Sequence, residues 1–206
     1  MYHIKGQPIA NIKVVTQASW MVQKILTIEG PSPQIYLQQL GSLAKVEWKA
    51  IMFRNLARPK AVFSMWLIIQ ERMLTADRLS KWSMNVDTAC VFCKCHSENH
   101  PHLFYECTVI KELWNDIFRW MQIQVQTRTW SQLVCWFVEK AKKKYVEGHL
   151  LRMILAETLY SIWVEGNHRI FEKTHRDRQS IVREIIYICN IRAVGILKDV
   201  LQHKFI

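Results

Sequence analysis

The sequence is short of the residues that divide a chain into turns. Six glycines and five prolines in 206 residues are too few for many short strands, because each hairpin needs its own turn signal. No run of about eighteen apolar residues occurs, so no segment reads as a membrane span. The first residues lack the apolar stretch and small-residue cleavage site of a secretory signal. Acids are scarce, 17 against 28 Lys and Arg, and no two aspartates are adjacent. A glycine-rich phosphate loop and a Gly-x-Ser-x-Gly turn are also missing.

What remains is rich in core material. Half of the residues are hydrophobic and 11% aromatic, with nine Trp, which excludes the low hydrophobicity of a disordered chain. The length suits one domain or two small ones with a real core. The net charge of +11 is uneven: residues 1–60 hold eight Lys or Arg against two acids, residues 61–136 seven of each, and residues 137–206 thirteen against eight. Basic ends around a neutral middle fit contact with an anionic polymer, or simply solvated Lys faces. Without a secretory signal the expected setting is intracellular, nucleus or cytoplasm. The six cysteines are therefore read as metal chemistry before disulfides.

Apolar residues recur with helical period through most of the chain. Trp20, Val22, Ile25 and Leu26 mark a first short helix. Ser32-Pro33 caps a second that Gly41 ends. Val46, Ile51, Phe53 and Leu56 mark a third, and Ala61 to Leu74 an apolar, buried one. Thr75 caps a short helix through Trp82. Residues 85–101 break the pattern. A helix then runs from about Leu103 to Met121, another from Thr129 or Ser131 through Phe137, and two long ones over His149–Lys173 and Arg178–His203. The expected class is mainly α, a helical domain with a small zinc-binding loop between helices.

The break carries the chemistry. Cys90-x2-Cys93-x8-His102-x4-Cys107 brings a sulfur pair and a second pair into one short span. A turn with two cysteines three apart aims both sulfurs at one ion, and a helix entry completes the tetrahedron that Zn²⁺ accepts. Three thiolates and an imidazole leave no position for water, so such a site is structural. Residues five apart on a regular helix are rotated by about 140°, so His102 and Cys107 cannot share a face of one. Either His102 lies in the entry turn or the helix has a tight or wide turn there. His100 is the second choice as ligand, and Cys95 competes with Cys93. Cys135 and Cys189 read as core cysteines of helices.

Ala57-Arg-Pro-Lys-Ala-Val-Phe-Ser-Met-Trp-Leu67, Arg72-Met-Leu-Thr-Ala-Asp-Arg-Leu79, Cys90-Val-Phe-Cys93 and His102-Leu-Phe-Tyr-Glu-Cys107 through Trp114 resemble the reverse-transcriptase zinc-binding domain of plant-type LINE (non-LTR) retrotransposons. Leu155-Ala-Glu-Thr-Leu-Tyr-Ser-Ile-Trp163 and Asn167-His-Arg-Ile-Phe171 look like the helical tail that often follows it. The resemblance implies Zn²⁺ on Cys90, Cys93, His102 and Cys107, an ancestral reverse-transcriptase partner, and association with RNA or DNA. In one place the sequence departs: Lys94-Cys95 stands where the family has a glycine-like turn residue. A polymerase of that lineage would need paired aspartates for two Mg²⁺, so the expectation is a non-catalytic module without a small-molecule substrate. The resemblance is to a C-terminal fragment of such an element, and the alternative is a structural or protein-interaction remnant with no nucleic-acid activity of its own. The expected organisation is a helical segment over 1–32, the zinc-binding domain over 33–121 and a helical tail over 122–206. Trp82, Phe92 and Phe104 are the stacking candidates for bases.

Overall fold

The computed structural model describes residues 3–4, 7–8, 48–143 and 145–193, and the chain divides into two units, Met1–Lys45 and Val46–Ile206. In the first unit β1 (His3–Ile4) and β2 (Gln7–Pro8) pair antiparallel, His3 opposite Pro8 and Ile4 opposite Gln7. The helices expected over Trp20–Leu26 and Ser32–Gly41 lie outside the described residues.

Among its described residues, the regular structure of the second unit is helical, apart from one isolated bridge between Ala89 and Ser97. Its elements are α1 (Lys49–Met52), α2 (Pro59–Ile69), α3 (Ala76–Lys81), α4 (Thr108–Trp120), α5 (Trp130–Lys143), α6 (Tyr145–Asn167) and α7 (Arg178–Arg192). A wide turn with i→i+5 bonding precedes α4, over His102–Glu106, and another follows α6, over His168–Glu172.

The third expected helix is much shorter than the period of its apolar residues. It stops at Met52, with Arg54 in the left-handed region at φ 53°. The side chain of Asn55 then donates to the carbonyls of Ile51, at 3.1 Å, and Arg152, at 2.9 Å. A side-chain amide thereby replaces the next helical N–H.

The central element is α6. Leu150, Leu151, Met153, Ile154, Leu155, Ala156, Leu159, Ile162 and Trp163 are all buried, so its apolar residues run around the cylinder rather than along one stripe. A helix of that kind belongs inside. It packs against α2, α5 and α7. Gly148 lets α5 come close, since a Cβ there would stand 2.6 Å from the carbonyl oxygen of Ala141.

Two carboxylates are buried in this helix, and both are met by arginines. Glu157, fully buried, accepts from the Arg58 backbone N–H at 2.7 Å and from its guanidinium at 2.7 and 2.9 Å. Glu165 accepts from Arg169 at 2.8 Å and from Arg176 at 3.1 Å. Burial opposes its charge, but the arginine hydrogen bonds outweigh burial and hold its pKa below the usual value. Buried charges survive only when paired in this way. The helix expected to reach His203 is described as far as Arg192, with Asp177 capping its start by accepting from the Ser180 N–H at 2.9 Å.

Candidate metal centre

The metal loop folds as a knuckle. The Cys90 N–H donates to the His96 carbonyl at 2.8 Å and the Glu98 N–H to the Thr88 carbonyl at 2.7 Å. These two bonds bring the ends of the loop together around the Ala89–Ser97 bridge. Inside it the Lys94 N–H donates to the Cys90 carbonyl at 2.9 Å, and Lys94 takes φ 57°. That is the left-handed turn position for which glycine pays no steric cost, the same place where the sequence departs from the family.

The helix expected from Leu103 to Met121 is split. The Cys107 N–H bonds the His102 carbonyl at 2.8 Å, a closure five residues back. Cys107 itself is extended, with ψ 133°. Of the arrangements open to His102 and Cys107, the chain adopts the wide turn, which returns both side chains to one side. Asn99 fixes its entry by accepting from the His102 N–H at 2.9 Å.

The structure brings Cys90, Cys93, His102 and Cys107 together, with the ligand atoms of all four within 4.8 Å of one another. Cys90 Sγ lies 3.9 Å from Cys107 Sγ, and Cys93 Sγ 3.3 Å from His102 Nε2. Zn²⁺ bonds of about 2.3 Å to sulfur and 2.0–2.1 Å to nitrogen put tetrahedral vertices roughly 3.5–3.8 Å apart. The two separations, 3.3 and 3.9 Å, lie on either side of that figure. Among the described residues no other His, Cys, Asp or Glu group gathers in this way.

The electrostatics favour sulfur anions on one side of the cluster. The Cys90 thiol donates toward Cys107, which raises the pKa of Cys90 and lowers that of Cys107, while burial opposes charge on both. Backbone N–H groups of Phe92 and Cys93 face the Cys90 sulfur, and those of Val109 and Ile110, at the start of α4, face Cys107. A helix N-terminus is a favourable place for a thiolate. Burial, reinforced by nearby His96, lowers the pKa of His102 and keeps it the neutral imidazole that a metal needs.

Other residues named from the sequence are placed elsewhere. His100 is packed between Phe104, 4.9 Å between centroids, and Trp130, at 5.3 Å, and takes no part in the cluster. Burial lowers its pKa to about 4. Cys95 is exposed and donates to the Cys93 carbonyl at 3.0 Å. Cys189 is buried, but Cys135 is exposed on α5 and is not a core residue. Phe92 and Phe104 are buried, while Trp82 is 46% exposed.

Two neighbours of the cluster were given no role by the sequence, though His96 stands out in it beside the three cysteines of the loop. His96 Nδ1 lies 4.0 Å from Cys93 Sγ, and the signal was there, since Cys93-x2-His96 repeats the x2 spacing of the cysteine pair. Glu98, buried, accepts from the Ala76 N–H at 3.0 Å and so caps α3. Thr75 occupies the N-cap position, but its hydroxyl donates to Asp77 at 2.6 Å instead.

A helical protein with a Cys₃His cluster held between a knuckle and a helix start is, as a class, a metal-binding module. Residues 32–114 match the family described as zinc-binding in reverse transcriptase. The match covers less than half of the chain but includes all four clustered residues, and it supports a reverse-transcriptase zinc-binding domain over that stretch. No curated protein and no solved structure matches the chain.

Proposed function

We propose that Cys90, Cys93, His102 and Cys107 hold one structural Zn²⁺, and that the chain is a non-catalytic module of LINE-type retrotransposon origin that contacts RNA or DNA. The observation that carries the metal reading is the convergence of the four ligand atoms within 4.8 Å. Bound there, zinc would tie the knuckle to the start of α4 with no open coordination position. The net charge of +11 supports the nucleic-acid reading, since neutralising phosphates releases counterions and drives association. No helix among the described residues is long and apolar enough to cross a membrane.

Metal content of the purified chain, measured by mass spectrometry, tests the site. One Zn²⁺ per chain is expected, lost in Cys90→Ser and in Cys107→Ser and kept in Cys95→Ser and His100→Ala. Full zinc in both ligand variants would sink the site. Nucleic-acid affinity at two salt concentrations tests the second half, with a steep salt slope expected.

A second reading treats the chain as a protein-interaction remnant. Tyr187 and Ile191, one turn apart on α7, are 64% and 62% exposed, and such a pair would suit another protein's surface. A zinc-loaded chain that bound no nucleic acid at low salt would favour this reading.

A further inference from the structure

Beside the metal loop lies a cleft of about 380 Å³, walled by residues 71–82 on one side and by Asn99, His100 and Pro101 on the other. Its volume is within the range of small-ligand sites, roughly 300–1,000 Å³. Trp82, which follows α3, is half exposed at its edge, with the Arg78 guanidinium 6.0 Å from the ring centroid. Lys81 is exposed and paired with Asp77 at 3.4 Å. A surface pair of this kind contributes at most about 1 kcal/mol, so the ammonium is readily recruited by another anion.

His100 is the unexplained member. It is 5% exposed, and neither ring nitrogen makes a hydrogen bond of good geometry, although the Ile68 backbone lies close enough to favour its charged form against burial. Buried polar groups are nearly always satisfied, and leaving one unpaired costs about 1–3 kcal/mol. Phe104 and Trp130 pack around its ring at interplanar angles of 51° and 73°, and neither is hydrogen-bonded to its nitrogens.

The charges around the cleft balance, Glu71 and Asp77 against Arg78 and Lys81. Charge alone therefore does not choose its ligand. The open indole asks for a flat π face, and the imidazole asks for a polar edge with both donors and acceptors. A nucleobase offers both.

We propose that this cleft takes one unpaired base of a single-stranded nucleic acid, stacked on Trp82, with its polar edge toward His100 and its phosphate at Lys81. The assignment rests on the nucleic-acid reading above and gives it a location. It also couples binding to the metal. Asn99, on the cleft wall, accepts from the backbone N–H of His102, and Glu98 ties the loop to the N-terminus of α3 on the opposite wall. A metal that orders the loop orders the cleft.

The test uses the full zinc-loaded chain and fluorescein-labelled dodecamers of oligo(U) and oligo(dT), with a twelve-base-pair duplex as comparison, read by anisotropy across a salt series. Single strands are expected to bind more tightly than duplex. Trp82→Ala should weaken them roughly five-fold or more, the lower end of one lost base–aromatic stack. The same variant should keep its zinc, its duplex affinity and its salt slope, because no charge is removed. Trp82→Phe should restore most of the loss, and chelation should abolish the single-strand preference. Unchanged single-strand affinity in Trp82→Ala would overturn the cleft while leaving the nucleic-acid reading standing. No binding of any oligonucleotide by the wild-type chain at low salt would overturn both.

Discussion

Lys94 shows how much one backbone angle decides. At φ 57° it occupies the left-handed region inside the knuckle, where a Cβ costs about 1–2 kcal/mol and glycine nothing. Glycine returns part of that gain, roughly 0.5–1 kcal/mol, through the greater freedom of its unfolded chain. The positive charge of Lys94 also favours the ionised form of Glu98, so the proper comparison is between two uncharged variants. Lys94→Gly should be more stable than Lys94→Ala by about 0.5–1 kcal/mol in urea unfolding of the zinc-loaded protein. Equal midpoints would mean that the knuckle carries no strain at this residue. The four clustered residues themselves were legible from spacing and resemblance. His96 was legible too, by its position beside the cysteines and its x2 spacing from Cys93, but only the fold shows it 4.0 Å from the Cys93 sulfur.

Among the elements, the contact of α5 with α6 turns on a single missing methyl group. Alanine in place of a helical glycine ordinarily stabilises by about 1 kcal/mol. At Gly148 the sign should reverse, because the new Cβ would lie 2.6 Å from the Ala141 carbonyl oxygen, a backbone atom that cannot swing aside. The same carbonyl also accepts from Arg152 at 2.9 Å, so a displaced α5 loses that bond as well. Gly148→Ala should therefore cost roughly 1–3 kcal/mol, the range of overpacked cores, read as a lower thermal midpoint. A variant as stable as the wild type would show that the two helices are free to slide. Helix identities were mostly readable from period, whereas ends were not. The third helix ended early because Asn55 captured the Ile51 carbonyl, and the Leu103–Met121 helix broke because the wide turn returns His102 and Cys107 to one side.

For the second unit as a whole, the question is what a zinc ion at the cluster would hold together. The loop before His102 buries only a few apolar side chains, chiefly Val91 and Phe92, the latter against Gly166 and beneath Arg169 at 4.8 Å. Ordering each backbone residue costs about 1–2 kcal/mol, more than two side chains at about 1.5–3 kcal/mol each return. Structural zinc contributes on the order of 10 kcal/mol and, bound at the cluster, would make up the difference. The wide turn is held otherwise: Phe104 and Tyr105 are buried, and the Trp114 indole N–H donates to the Phe104 carbonyl at 2.9 Å. A chelator should open residues 85–101 to protease, leave residues 103–120 protected, and lower helical circular dichroism only slightly. Collapse of helicity throughout would mean that the metal organises the entire unit, and an unchanged cleavage pattern would mean that no structural zinc is present.

The sequence by itself determined the helical class, through period and the scarcity of glycine and proline, and it determined which four residues could share a metal, through spacing. Those are local properties, set by rotation per residue and by ligand chemistry. Tertiary structure decided what local pattern cannot carry. It placed Phe92 and Phe104 inside and left Trp82 out, and it turned His100 away from the metal into an aromatic pocket. It also gave Glu98, rather than Thr75, the capping of α3. Each of these depends on which distant surface arrives opposite a residue, and that is fixed only when α6 gathers the other helices around it.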